Sequence, residues 1–378
     1  VQTAVPLNPE EELIVDCARR SPIRATCELD WSRVLRVAAE HRVTPLLDSN
    51  RLPPDAAKHL KSGILQRTRW NLLLAAELLH TLEILERYGI AAVPFKGPVM
   101  AQTLYGDPAL RDSCDLDLFV RQQDIRRVAA VLIAQGYTTD LPSDERGQEA
   151  YIRTRYELHF TSPRNGIPIE IHQSFVPPSY CLNVDYDGIW GRMERTPFFE
   201  RQVLTLAPAD LLLMLCIHGA KHEWRELINI ADIARLLEKS GTRWRLPDGA
   251  SSGAARLIRV GLLLARQVLD APLAPNILKE CERDNTAVRL AEQAHSRLFT
   301  DTGNDSLFRS HIWFIRSRER LRDRIAACLS LAWVPTEKDY AVMNVPKSLS
   351  LLYFPLHALR MIQKYTLAVM RSAVSEWS

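Results

Sequence analysis

Asp115 and Asp117 lie one residue apart in the run Asp115-Leu116-Asp117-Leu118-Phe119-Val120, where polar and apolar side chains alternate. Alternation of this kind marks a strand with one buried face, and residues i and i+2 on a strand point to the same side. Glu170 falls in a second alternating run, Ile167-Pro168-Ile169-Glu170-Ile171-His172. A glutamate on a neighbouring strand can complete a three-carboxylate cluster with the two aspartates. Such a cluster repels itself unless a hard divalent cation sits in it; Mg²⁺ (or Mn²⁺) takes a few carboxylates together with substrate phosphates. Two such ions about 3.5–4 Å apart would clamp the attacking and leaving oxygens of an in-line phosphoryl displacement. Upstream, Lys96-Gly97 closes a short apolar run, Ile90 to Phe95. At a strand-to-helix turn, glycine lets backbone approach phosphates, the helix N-terminus favours anions, and lysine adds a point charge. An Asp-x-Asp alone is usually just a solvated strand face. The order of strand, glycine turn, helix, Asp-x-Asp strand and carboxylate hairpin is much harder to obtain by accident.

The elements that must position these groups follow from periodicity. Asn8-Pro9-Glu10-Glu11 is a helix start, with a capping Asn, Pro at the first helical position and acids at the positive helix end. Asp30-Trp31-Ser32-Arg33 opens a second helix, and a long one is expected from about Asp55 to Tyr88. Ile90 to Phe95, Asp115 to Val120, Tyr156 to Phe160 and Ile167 to His172 read as strands. Ile125 to Gln135 reads as an amphipathic helix closed by Gly136. Asn165-Gly166 is a hairpin signal. From Ala207 onward the helical period returns, with Arg309 to Trp333 expected as one arginine-studded helix and a last helix from about Leu349 to Val374. The expected fold class is α+β: a small mixed β-sheet core flanked by N- and C-terminal helical regions, divided as 1–89, 90–205 and 206–378.

Composition narrows the class. The chain has 378 residues, 47% hydrophobic and 25% charged, the balance of a globular protein. The net charge of +3 sets up no strong nucleic-acid field. Its basic residues are 9 lysines against 39 arginines, a bias that a GC-rich genome also produces. Seven scattered cysteines with no Cys-x-x-Cys pair argue against a disulfide framework or zinc knuckle. Together with a polar, acidic opening stretch and no membrane-length apolar run, they lead us to expect a cytoplasmic protein.

Phe95-Lys96-Gly97, Leu104-Tyr105-Gly106, Arg111, Asp115 to Val120 and Gly136-Tyr137 together resemble a family of uncharacterised bacterial nucleotidyltransferases within the DNA polymerase β-like superfamily. The likeness continues through Glu170-Ile171-His172, His218, His222, Trp224 and Asp232, and the Pro335 to Tyr340 run. In that family a Lys-Gly turn replaces the commoner Gly-Ser. The resemblance implies an enzyme that transfers an NMP, AMP first among candidates, from an NTP such as ATP to an acceptor, releasing pyrophosphate. Asp115 and Asp117 would hold both metals. Glu170 would hold the second and help deprotonate the acceptor.

Other residues carry open alternatives. Arg111, four residues before the Asp-x-Asp strand, could clamp a triphosphate or fix its loop through a carboxylate. His172 shares the face of Glu170 and could orient the acceptor or a carboxylate, or be structural; His159 repeats that argument more weakly. His218 and His222, at i and i+4, have metal spacing, but no third ligand follows. The resemblance implies that they face a cleft between the core and the helical region, where they could contact nucleotide or acceptor, or simply pack. Arg316, Arg318, Arg320, Arg322 and Arg324 could face an acidic ligand or RNA, although Glu319 and Asp323 interleave them. The last helix could lie on a membrane, but core or partner contact is the stronger expectation. A small-molecule, peptide or protein acceptor is therefore favoured over tRNA or other RNA. The competing class is a catalytically silent nucleotide-binding partner in a biosynthetic or toxin–antitoxin complex.

Overall fold

Asn8 determines where the described chain first becomes helical. Its Oδ1 accepts from the Glu11 N–H at 3.0 Å, and Glu11 Oε2 accepts from the Asn8 N–H at 3.1 Å, closing a capping box on α1 (Pro9–Arg19). The computed structural model describes residues 7–21, 29–47, 52–142, 144–241, 253–300, 307–333, 355–356 and 359–360. Asp30 caps α2 (Trp31–Glu40) by accepting from the Arg33 N–H, and Pro54 opens the 34-residue α3 (Pro54–Arg87). The α/β core then runs β1 (Ala92–Pro94), α4 (Gly97–Tyr105), β2 (Leu116–Val120), α5 (Ile125–Ala134), β3 (Thr138–Thr139), α6 (Glu145–Thr154), β4 (Glu157–Thr161) and β5 (Pro168–His172).

These strands form a mixed sheet in the order β1-β2-β5-β4-β3, so the expected α+β fold is present. β2 and β5 are parallel; the other neighbours are antiparallel. Alternation divides the sheet cleanly into two faces. Leu116, Leu118, Val120, Leu158, Phe160, Ile169 and Ile171 join one buried cluster with Leu74, Leu78 and Leu85 of α3 and Val128 and Leu132 of α5. The opposite face carries Asp117, Phe119, Glu157, His159, Glu170 and His172. In the β2–β5 register Asp117 sits beside Glu170 and Phe119 beside His172. The β4–β5 turn is wider than a two-residue hairpin: Ser162 N–H donates to Ile167 O at 3.0 Å, with Gly166 at φ +73°. Asn165 reaches across to the buried Glu77 on α3 at 2.9 Å, and Tyr137 donates to the same carboxylate at 2.6 Å.

Beyond the sheet lie α7 (Tyr186–Gly191) and a hairpin, β6 (Glu194–Phe198) and β7 (Arg201–Thr205), that the sequence reading did not anticipate. The helices that follow are α8 (Pro208–Lys221), α9 (Leu227–Ser240), α10 (Ala255–Leu269), α11 (Pro275–Glu282) and α12 (Asn285–Arg297). They share an apolar core with α1, α2 and the Phe119 face of the sheet.

The expected single helix over Arg309–Trp333 is two: α13 (Leu307–Arg316) and α14 (Leu321–Trp333). Arg318, in the break, is buried; it lies over the Phe314 ring at 4.2 Å and donates to Tyr180 O at 2.9 Å. Its own carbonyl accepts from Arg256 at 2.7 Å and Arg324 at 2.9 Å. These bonds satisfy backbone that a continuous helix would have used, and they take Arg318 out of any surface patch. The Pro335–Tyr340 run lies outside the described residues, as does the last expected helix apart from residues 355–356 and 359–360.

The turn after α8 depends on a glycine. Glu223 and Trp224 both adopt left-handed backbone, and the fully buried Trp224 ring folds back onto Gly219. A Cβ on Gly219 would stand 2.3 Å from Trp224 Cζ3, whereas one on Gly63 in α3 meets nothing within 4 Å. Gly63→Ala should therefore stabilise by up to about 1 kcal/mol through helix propensity. Gly219→Ala should destabilise by about 1–3 kcal/mol through overpacking. Urea unfolding of the two variants checks the opposite signs.

Candidate active site

The site is built where the β1–α4 turn meets the polar face of β2, β5 and β4. Phe95 N–H donates to Asp117 O at 3.3 Å, extending the β1–β2 ladder to the turn. Lys96 is the residue before α4, and Gly97 begins the helix at φ +70°, a conformation in which a side chain would be strained. Its glycine is thus required by backbone geometry rather than by crowding, since a Cβ would meet only Asp115 O, at 3.7 Å.

Lys96 Nζ donates to Asp117 Oδ1 at 3.0 Å, and His172 Nε2 lies 3.0 Å from the same oxygen. His172 Nε2 is also 3.3 Å from Glu170 Oε2, while its Nδ1 is 3.4 Å from Glu157 Oε2. His159 stands 3.6 Å from Glu170 on the outer side. Phe95 holds the His172 ring edge-on at a centroid distance of 4.9 Å.

The charges in this group are strongly unbalanced. Burial alone would push the Asp117 carboxyl up; the Lys96 ammonium and the His172 imidazole outweigh it and hold Asp117 well below the usual carboxylate range. Burial likewise opposes ionisation of Glu170, but the bond to His172 keeps it low. Asp115 is the group left in excess: burial, then Asp117, then Glu170 push it up to about 6. Asp117, Glu170 and His172 offer ligand atoms that all lie within 4.8 Å of one another. Two ionised carboxylates and an imidazole nitrogen converging on one point fit a divalent cation. Asp115 is not one of that trio, although the two acids raise its carboxyl.

A second wall comes from α8. Lys221 Nζ donates to Tyr156 OH and lies over that ring at 4.7 Å. Burial depresses the Lys221 ammonium against the opposing pull of Glu157, Glu170 and Asp117. His218 and His222 stack at a centroid distance of 4.6 Å. Burial, Lys96 and His222 hold His218 well below the usual histidine range. Partial burial of the His222 ring, together with Lys221, lowers that residue to about 4. Both imidazoles are therefore neutral near pH 7.

Six of the residues singled out in the sequence thus meet: Lys96, Gly97, Asp115, Asp117, Glu170 and His172. His218 and His222 adjoin them. Arg111 does not offer its guanidinium to this group; it forms a buried bidentate pair with Asp232, with contacts of 2.9–3.1 Å, and Tyr105 OH donates to the same carboxylate at 2.8 Å. Glu157, Tyr156 and Lys221 were missed. Glu157 was open to detection, since it shares the strand face of His159; a lysine at helical spacing from two histidines carries no distinctive signal.

A mixed sheet with one acid on a strand and another at its start, a third acid on the parallel neighbour and a Lys-Gly turn is the arrangement of a nucleotidyltransferase. The model of the uncharacterised nucleotidyltransferase family matches residues 28–270, most of the chain, and the chain belongs to that family. Comparison with curated proteins and with solved structures gave no match.

The raised Asp115 pKa has a consequence for stability. The folded state holds this proton up to about pH 6, against an ordinary value of 3.8. Ionised Asp115 therefore opposes folding above that window, and the penalty fades as pH falls through it. Melting in EDTA should show Asp115→Asn more stable than wild type by a few degrees near pH 8, with the difference gone near pH 4.

Proposed function

We propose that the chain is a divalent-metal-dependent nucleotidyltransferase that moves an NMP from an NTP to a small-molecule, peptide or protein acceptor and releases pyrophosphate. The observation that carries this reading is the β2–β5 register, Asp117 beside Glu170, with Lys96 at the start of α4 bonded to that aspartate. A divalent cation bound by Asp117 and Glu170, with Asp115 beside them, would supply charge stabilisation for the triphosphate and the attacking oxygen. Lys96 and the first N–H groups of α4 receive phosphate oxygens; to do so Lys96 exchanges its carboxylate partner for the nucleotide. Glu170, half-buried rather than sealed, takes the acceptor proton. Lys221 faces the acids from α8 and is placed to meet the departing pyrophosphate or an anionic part of the acceptor. His218 and His222 add neutral hydrogen-bonding groups to the same wall. Arg111 acts by fixing the loop that ends in Asp115, through its pair with Asp232.

The acceptor preference rests on charge. A polynucleotide track requires Lys and Arg on one face. Here the net charge is +3, the arginine-dense stretch is broken between two helices, and Arg318 is buried. The test uses each of the four NTPs labelled at the α-phosphate, with ATP first, and cell extract separated into small-molecule, protein and RNA fractions. Label should enter the small-molecule or protein fraction, and Asp117→Asn should lower transfer by about 10³-fold or more. Undiminished transfer by a folded Asp117→Asn protein would refute the site. Labelling of RNA alone would refute the acceptor class.

A further inference from the structure

The imidazole at the centre of the acid cluster has two nitrogens in opposite surroundings. Nδ1 is buried, has no hydrogen-bond partner within normal range, and faces Glu157 Oε2 at 3.4 Å. Nε2 meets Asp117 Oδ1 and Glu170 Oε2 at 3.0 and 3.3 Å. Carboxylates only accept, so without a cation the Nε2 proton is shared with these acids. Burial opposes the charge, but the two acids hold the ring above the usual imidazole range. A divalent cation can take that proton's place: with the ring proton kept on Nδ1 toward Glu157, the Nε2 lone pair joins two acid oxygens that lie within 4.8 Å of it and of each other. Around an ion with bonds of about 2.1 Å at right angles, neighbouring donors stand about 3 Å apart. The two Nε2–oxygen spacings are close to that figure. Phe95 and Tyr156 pack against the ring at 4.9 and 5.8 Å between ring centroids.

We infer that His172 is itself a metal ligand through Nε2, oriented by Glu157, and that the site therefore prefers a divalent transition ion such as Mn²⁺ over Mg²⁺. This rests on the metal-dependent reading above and deepens it. A carboxylate behind the distal nitrogen of a ligating histidine fixes its tautomer and strengthens its donor nitrogen. Mg²⁺ is satisfied best by oxygen alone, whereas a nitrogen donor favours transition ions. Lys96, which shares the Asp117 oxygen with His172, competes with the ion at this position and yields to it as the nucleotide's phosphates take up the ammonium.

The experiment titrates the full chain with Mn²⁺ alone, without nucleotide. Electron paramagnetic resonance counts free against bound ion, and electron spin echo modulation reports any directly bonded ¹⁴N. Wild type should bind Mn²⁺ with ¹⁴N modulation and release it only to a large excess of Mg²⁺. His172→Gln should lose the modulation, bind Mn²⁺ about tenfold or more weakly and lose most of the preference over Mg²⁺. Glu157→Gln should keep the modulation but bind about tenfold more weakly. Bound Mn²⁺ without ¹⁴N modulation in wild type would overturn the inference, make His172 a protonated strut between two acids, and leave the transferase reading standing. Failure of wild type to bind Mn²⁺ at all would overturn both. The wild-type spectrum decides without requiring any variant to fold.

Discussion

Mutual repulsion among Asp115, Asp117 and Glu170 is the constraint to which the rest of the site responds. One feature of the sheet puts the last two side by side: β2 and β5 run parallel in the register that pairs them. Strand alternation then leaves these acids no other face, because the intervening leucines and isoleucines are buried under α3 and α5. Unrelieved, such a cluster would ionise poorly. Lys96 and His172 relieve Asp117, His172 relieves Glu170, and Asp115 carries what remains as a pKa raised to about 6. A site that strains its own apo fold in this way gains from any cation that enters it.

The same cluster has to be held against a helical wall built from distant sequence. That function falls to Arg111, Asp232 and Tyr105, a buried ionic group joining the end of α4 and the following loop to α9. Breaking such a pair by removing one partner typically costs about 3–5 kcal/mol, because an uncompensated charge stays buried. The arrangement fixes the loop that delivers Asp115 and sets the distance at which α8 presents Lys221, His218 and His222. The tight Gly219–Trp224 contact fixes the end of α8 in turn. The buried salt bridge and the Gly219–Trp224 contact thus help join the acid cluster on the sheet to the helical wall.

Much of this was legible in the sequence for physical reasons. Period-two alternation exposed β2, β4 and β5 with the acids on one face. Asn165-Gly166 marked the turn between β4 and β5, and Lys96-Gly97 marked a turn whose positive φ is what its glycine serves. What escaped depends on long-range partners. The choice between triphosphate and carboxylate for Arg111 turned on Asp232, 121 residues away. The break between α13 and α14 is stabilised by arginines donating to a backbone carbonyl, while the local pattern reads as uninterrupted helix. Lys221 looks like an ordinary last-turn helix cation; only the fold aims it at Glu157, Glu170 and Asp117.

In the proposed mechanism, the acids of β2 and β5 bind a cation that in turn binds a nucleotide. Calorimetric titration of a non-hydrolysable ATP analogue into the full chain, with Mn²⁺ and then in EDTA, should then show the cation tightening analogue binding by about tenfold or more. The analogue should tighten cation binding by the same factor, as linkage requires. Equal affinity for the analogue with and without the cation would overturn the proposed metal–nucleotide coupling.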